Sequence, residues 1–171
     1  AYVIGEEGIR VALAAAGIEL TEGDARADAV VVGFDRQATY DSLRTASSLI
    51  QRGAVFVATN TDASFPAADG GNWPGAGALV AAIETTTGID AEVVGKPNAP
   101  ILRAALARAG GRVPLVVGDR LDTDIAGAQG LGWDSLLVLT GISSRSDMQG
   151  SAFTPTHVGE DLRALFASER G

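Results

Sequence analysis

Residues 115–125 run Leu-Val-Val-Gly-Asp-Arg-Leu-Asp-Thr-Asp-Ile, an apolar stretch that ends in a glycine and continues into three carboxylates. An unbroken aliphatic run is typical of a strand that is buried on both faces of a parallel sheet. Ligands of open parallel sheets bind at the carboxyl ends of the strands, which is where Asp119 falls. The stretch therefore predicts a functional strand end in an α/β fold.

Similar apolar runs alternate with helical stretches over the rest of the chain. Such runs occupy residues 29–33, 54–58 and 135–139. Apolar residues at helical spacing predict helices at 39–51, 98–109 and 123–131, and a final helix is predicted at 161–168. Repeated strand–helix units of this length predict a parallel, doubly wound, Rossmann-like sheet with helices on its faces. The stretch 62–77 is rich in glycine and proline and is predicted to be a loop.

Composition and charge exclude several classes of protein. The 171 residues carry 13 Lys or Arg against 21 Asp or Glu, a net charge of −8. Binding to nucleic acid needs clustered cations, so no nucleic-acid partner is expected. The chain has no apolar run of about 18 residues, so no membrane span is expected and a cytoplasmic location is predicted. Cysteine is absent, which excludes a thiol nucleophile.

Lys96 is the only lysine of the chain, and the other cations are arginines. It stands in Gly95-Lys96-Pro97, just before a predicted helix. A compact ammonium can hold a phosphoryl group there as a point charge; the alternative is a solvated loop lysine. Asn60 and Asp62 also follow a predicted buried strand, and they either bind a ligand or only stabilise a turn.

The carboxylates after residue 118 suit Mg²⁺, which takes one or two carboxylates and keeps waters or substrate oxygens. Capping of a helix does not explain why Asp119 follows a glycine at a strand end, so Asp119 is predicted to bind metal. Asp122 is predicted to cap the following helix, and capping is also open for Asp124. The single histidine, His157, is predicted to be an edge or surface residue.

These segments together resemble the haloacid dehalogenase superfamily of phosphatases. Gly95-Lys96-Pro97 and residues 118–125 are similar to the third and fourth motifs of that superfamily. The resemblance is closest to the branch of NagD, 4-nitrophenylphosphatases and phosphoglycolate and glycerol-phosphate phosphatases. Further matches lie, in the order of the family, at 32–36, 58–62, 74–77 and 139–143.

The resemblance implies a mechanism and a role for each matching residue. An aspartate nucleophile forms an aspartyl-phosphate that water cleaves, and Mg²⁺ neutralises the transferred group. Lys96 would be the catalytic lysine and would hold the phosphoryl charge. Asp119 would bind Mg²⁺ and Asp124 would support the metal site. Asn60 and Asp62 would bind substrate together with Lys96.

The resemblance also implies that the chain is part of a larger enzyme. Residues 1–92 would form a cap domain for substrate specificity, and residues 93–171 would form the C-terminal half of the catalytic core. The nucleophile motif Asp-x-Asp-Gly-Thr is absent. Asp35 follows an apolar run as a nucleophile would, but the Asp-Gly pair that the motif requires does not follow it. A missing N-terminal core segment of the same protein is therefore expected, and the chain alone is expected to be inactive. The expected substrate is a small phosphorylated metabolite, and caps of this branch imply a homodimer.

Two rival functions stay open at this point. A phospho-acceptor signalling module also uses strand-end aspartates, Mg²⁺ and a lysine, but its lysine follows the acceptor whereas Lys96 precedes Asp119. A non-catalytic α/β ligand-binding module would explain the sheet but would not explain why Lys96, Asp119 and Asp124 are present.

Overall fold

The computed structural model describes residues 1–66 and 70–166. Two compact units divide the chain between Val94 and Gly95. This division lies two residues from the predicted boundary between cap and core. Each unit contains its own parallel sheet with helices packed against it, which confirms the predicted α/β class.

The first unit is built on a parallel sheet of four strands in the order β1-β2-β3-β6. These strands are β1 (Tyr2–Ile4), β2 (Ala29–Val32), β3 (Val55–Ala58) and β6 (Glu92–Val93). Ile4, Val32 and Ala58 are in register on neighbouring strands and are fully buried. Residues in register on neighbouring strands point to the same face of the sheet, so these three side chains lie side by side and form part of a single core.

Three helices accompany this sheet: α1 (Glu7–Ala15), α2 (Tyr40–Gln51) and α3 (Ala76–Thr87). α2 begins with a capping box, in which Thr39 and Ser42 exchange side-chain-to-backbone hydrogen bonds, and such a pair fixes a helix start. The apolar stripes of α2 and α3 join the sheet core through Leu49, Ile50, Val80 and Ile83. α1 contributes no buried residue.

The prediction that residues 62–77 form a loop is wrong in part. Two short antiparallel strands, β4 (Ser64–Pro66) and β5 (Asn72–Pro74), form a hairpin there. Phe65 faces Trp73 across the pair, and the rings of Phe34 and Phe65 pack edge to face with centroids 4.6 Å apart. Aromatic pairs of this kind stabilise cross-strand pairing and outweigh the turn-forming tendency of the surrounding residues.

The second unit has three parallel strands in the order β7-β8-β9. These strands are β7 (Leu115–Gly118), β8 (Asp134–Val138) and β9 (His157–Gly159). The helical elements are α4 (Ala99–Ala109), a π-helical turn (Leu121–Ile125), α5 (Ala126–Leu131) and a 3₁₀ helix (Leu162–Phe166). Leu121, Ile125 and Leu137 form the centre of its core. His157 is exposed on the edge strand β9, as predicted.

Two helix predictions in this unit need correction. The predicted helix 123–131 begins instead with the π-helical turn, in which the Ile125 N–H bonds to the carbonyl of Arg120. The predicted final helix at 161–168 is a 3₁₀ helix, and residues from 167 onward lie outside the described part. No helix within residues 1–66 and 70–166 is long and apolar enough to cross a membrane.

Candidate active site

Asp119 lies directly after β7, and a loop that follows β8 holds it in place. Asp119 Oδ2 accepts a hydrogen bond from the Ile142 N–H at 2.9 Å, and its carbonyl accepts one from the Ser143 N–H at 2.9 Å. A Cβ on Gly141 would lie only 2.0 Å from Oδ2, so glycine is needed for this approach. The backbone and the carboxylate of Asp119 are therefore both fixed.

Asp124 is buried and forms an ion pair with the only lysine. Its Oδ1 lies 2.7 Å from Lys96 Nζ, and its Oδ2 accepts a hydrogen bond from the Arg120 N–H at 3.2 Å. The Asp124 side chain is 7% exposed, whereas the Lys96 side chain is 47% exposed. A Cβ on Gly118 would lie 2.2 Å from Asp124 Cγ, so the glycine of the strand end makes room for this carboxylate.

Lys96 keeps hydrogen-bonding capacity beyond this pair. An ammonium has three N–H donors, and Asp124 Oδ1 is the acceptor that the described residues provide. A half-exposed cation that is anchored by a buried carboxylate is held in a defined place and stays open to a ligand. Lys96 is thus anchored at its charged end, unlike the freely solvated loop lysine of the alternative interpretation.

Asp122 does not cap the helix, contrary to the prediction. Arg120 occupies the N-cap position and Asp122 lies inside the π-helical turn, without a side-chain cap. The carboxylate of Asp122 instead binds the Arg120 guanidinium through two hydrogen bonds, at 3.0 and 2.6 Å. The hydrogen bond from Arg120 is the largest influence on Asp122 and lowers the pKa of its carboxyl group.

Asn60 and Asp62 lie in the first unit, after β3. The Asn60 side-chain oxygen accepts a hydrogen bond from the Asp62 N–H at 3.1 Å, which is an Asx turn. The turn-forming alternative is therefore present in the structure, and a substrate contact by either residue stays a prediction. Gly75 and Gly77 complete this corner, since a Cβ on either would lie within 2.3 Å of the Asp62 or Thr61 carbonyl oxygen.

The donor set near β7 can be tested against Mg²⁺. In the described part of the chain, no three His, Cys, Asp or Glu side chains converge as a metal-binding group. Mg²⁺ does not need such a group, because one or two carboxylates suffice when waters or substrate supply the other oxygens. Asp119 fits such a site, since its Oδ1 accepts no hydrogen bond from the described residues. Asp124, with both oxygens engaged, fits a supporting position.

Sequence reasoning attached no role to Ser143 or to Thr123. Ser143 is buried and its Oγ accepts a hydrogen bond from the Leu121 N–H at 3.1 Å. Thr123 Oγ1 is buried without a partner among residues 1–66 and 70–166. Sequence position could have indicated a role for Ser143, because Ser143 lies in the loop after β8, just as Asp119 follows β7.

Known proteins match this chain along most of its length. Residues 93–165 match the family model described as HAD-hydrolase-like. A glycerol phosphate phosphatase of Mycobacterium tuberculosis, crystallised with magnesium, is 41% identical and superimposes with a TM-score of 0.91 over 96% of this chain. The chain belongs to the haloacid dehalogenase superfamily.

Two further relatives support this assignment to the haloacid dehalogenase superfamily and its NagD branch. NagD of Escherichia coli K-12 is 36% identical, with a TM-score of 0.85 over 94% of the chain. An acid sugar phosphatase of Staphylococcus epidermidis is 37% identical over 97% of the chain. The chain spans 50% of the glycerol phosphate phosphatase, 62% of NagD and 64% of the acid sugar phosphatase. It therefore corresponds to about half to two-thirds of these relatives.

Proposed function

We propose that this chain belongs to a Mg²⁺-dependent hydrolase of small organic phosphomonoesters, which works through an aspartyl-phosphate intermediate. The observation that carries the proposal is the pair of Lys96 and buried Asp124, formed next to the strand end that presents Asp119. A cation held by a buried carboxylate, near a fixed and partly free carboxylate, suits the binding of a charged phosphoryl group and its metal.

Lys96 is proposed to stabilise the charge of the phosphoryl group. Its ammonium is held at 2.7 Å by Asp124 and can donate further hydrogen bonds to phosphoryl oxygens. A preorganised charge does not need to be reoriented during the reaction, which is why such groups favour the transition state. Asp124 is proposed to position Lys96 and to support the metal site through it.

Asp119 is proposed to bind Mg²⁺ through Oδ1, the oxygen that accepts no hydrogen bond from the described residues. When bound, Mg²⁺ neutralises charge on the transferred phosphoryl group. The related glycerol phosphate phosphatase, which was crystallised in complex with magnesium, supports the choice of this ion.

The nucleophile is proposed to come from a further segment of the same protein that precedes this chain. The described strand β7 pairs with β8 along one edge and is the edge strand of its sheet, and Leu115 is 43% exposed there. An unpaired parallel edge with an exposed aliphatic residue suits a neighbouring strand. The greater length of the relatives supports the same conclusion.

The first unit is proposed to act as the cap that selects the leaving group of the substrate. The hairpin carries Phe65 and Trp73, which pack edge to face with centroids 6.1 Å apart, and Phe34 packs against Phe65. These rings and Pro74 line a cavity of about 250 Å³. The predicted substrate contacts of Asn60 and Asp62, a homodimer through this unit and the cytoplasmic location belong to the same proposal.

Hydrolysis of 4-nitrophenyl phosphate tests the proposal in two proteins, the 171-residue chain and the longer protein that contains it. The longer protein is expected to hydrolyse the ester with Mg²⁺ and to lose activity with a chelator. The 171-residue chain is expected to show no turnover, because metal binding and nucleophilic attack need separate carboxylates.

Two variants of the longer protein complete the experiment. Lys96→Ala is expected to abolish most of the activity, whereas Arg103→Ala, which removes an exposed cation from α4, leaves it intact. Turnover by the 171-residue chain alone would contradict the upstream nucleophile. Hydrolysis that survives Lys96→Ala, or that needs no divalent metal, would favour a non-catalytic role for this site.

A further inference from the structure

Ser143 connects the two ends of the turn that carries Asp119. Ser143 is 9% exposed and lies in the loop after β8. Its N–H donates to the Asp119 carbonyl at 2.9 Å, and its Oγ accepts from the Leu121 N–H at 3.1 Å. Leu121 is the first residue of the π-helical turn, so its N–H has no acceptor within that turn. One residue thus satisfies the backbone on both sides of Arg120.

The two residues before Ser143 also hold Asp119, and residues 141–143 together are called the clamp below. The Ile142 N–H donates to Asp119 Oδ2 at 2.9 Å, and Gly141 leaves the space that this carboxylate occupies. Among the described residues, the Ser143 hydroxyl is the only side-chain group of the clamp apart from the Asp119 carboxylate itself, since Ile142 and Ser143 otherwise contribute backbone N–H groups. A substitution of Ser143 can therefore remove one contact and leave the rest of the loop chemically unchanged.

We infer that Ser143 is a positioning residue for Asp119, and that its hydroxyl keeps the Asp119 carboxylate oriented for a divalent cation. The inference rests on the proposed function, which gives Asp119 the task of binding Mg²⁺. Partners that hydrogen-bond around a metal ligand fix its orientation, and their loss typically weakens metal binding by roughly 10–100-fold. Loss of the hydroxyl leaves the buried Leu121 N–H without an acceptor and frees the turn after Asp119.

A purely structural role for Ser143 makes a different prediction, and Ser135 offers the matched control. Ser135 is 2% exposed and its Oγ accepts a hydrogen bond from the Thr156 N–H at 3.2 Å. It therefore resembles Ser143 in burial and bonding. Ser135 lies near the start of β8 and is paired with Val116, whereas Asp119 follows the end of β7. Ser135→Ala should lower stability without affecting Asp119.

Titration of the 171-residue chain with Mg²⁺ alone, followed by NMR shifts of the backbone amides, tests the inference without any enzymatic assay. Ser143→Ala is expected to weaken Mg²⁺ binding at least tenfold, and Ser135→Ala is expected to leave it within about twofold. Asp119→Asn is expected to abolish binding, because an amide is a poor ligand for this cation. Urea unfolding of each variant shows how much stability each substitution removes.

The outcomes separate this inference from the proposed function. Weakened binding in Ser143→Ala, together with unchanged binding in Ser135→Ala, supports a positioning role. Equal Mg²⁺ affinity in Ser143→Ala and the parent overturns that role, while loss of binding in Asp119→Asn still supports the proposed metal site. Binding that survives Asp119→Asn, or no binding to the parent chain, overturns the proposed metal site and the inference with it.

Discussion

Replacement of Gly118 by alanine should destabilise the second unit, because the new methyl group would meet the Asp124 carboxylate. The added Cβ would lie 2.2 Å from Asp124 Cγ and 2.4 Å from Oδ2, whereas ordinary contact begins near 3.4 Å. The backbone of Gly118 lies outside the left-handed region, so the substitution adds no strain of its own. The cost therefore comes from the contact with Asp124.

The magnitude follows from the displacement that this contact requires. The carboxylate must move by about 1 Å, which breaks the 2.7 Å contact with Lys96 Nζ and the 3.2 Å hydrogen bond from the Arg120 N–H. Overpacking alone costs about 1–3 kcal/mol, and a buried carboxylate that loses part of its partnership adds about 1 kcal/mol. Gly118→Ala should thus lower the free energy of unfolding by about 2–4 kcal/mol.

Urea unfolding, followed by tryptophan fluorescence in a Trp73→Phe background, measures this effect, since Trp133 then reports on the second unit alone. Gly130→Ala is the matched control: Gly130 lies in α5, and its Cβ would meet no atom within 4 Å. Alanine there should stabilise the helix by about 0.5–1 kcal/mol. A Gly118→Ala protein within about 0.5 kcal/mol of the parent would refute the steric reasoning, because it would show that Asp124 has room to move.

Three further predictions concern the chemistry of the site, the cap, and the dependence of stability on pH in the acid range. In the longer protein, Lys96→Arg should lower kcat about 10²–10³-fold, nearly as much as Lys96→Ala. The reason is that a planar guanidinium does not replace a compact ammonium. A Lys96→Arg enzyme that retains more than about a tenth of the parent kcat would contradict this prediction. Phe65→Ala should change the ratio of kcat/KM between 4-nitrophenyl phosphate and glycerol phosphate by about tenfold, whereas Tyr40→Ala, an exposed aromatic of α2, should not. The pKa of Asp122 is lowered in the folded chain by Arg120, so this carboxylate adds stability above its unfolded-state pKa of 3.8 and loses it as the pH falls further. Asp122→Asn should cost about 0.5 kcal/mol or less at pH 7, and the difference in urea midpoint should disappear at acid pH.

The strands and the strand-end carboxylate could be predicted because their signals are local. A continuous aliphatic run followed by Gly118 and Asp119 predicted a parallel strand that ends at the glycine, and β7 is that strand. The prediction that it is buried on both faces is wrong, because β7 lies at the edge of the described sheet and Leu115 is 43% exposed. The unusual place of Lys96 in an arginine-rich chain was likewise visible in composition. The resemblance of these segments to haloacid dehalogenase phosphatases assigned them roles, and the family membership is confirmed.

The hairpin and the π-helical turn could not be predicted because they depend on contacts outside their own segments. Phe65 is drawn into strand pairing by Trp73 and Phe34, while the local composition favours a loop. The turn at Leu121–Ile125 is held by Ser143, whose hydroxyl accepts the Leu121 N–H. Propensity alone predicted an ordinary helix there, and Asp122 was predicted to cap it.

The sequence by itself determined the α/β class, and it predicted that Lys96, Asp119 and Asp124, which follow apolar strands, carry the chemistry. Only the tertiary structure decided their partners: Lys96 Nζ meets Asp124 across 28 positions of sequence, and Ser143 reaches Asp119 from the next strand. The physical reason is that strand patterns are set by neighbouring residues, whereas a hydrogen bond depends on where separate strand ends meet. That meeting point follows from sheet order and register, which no single segment encodes.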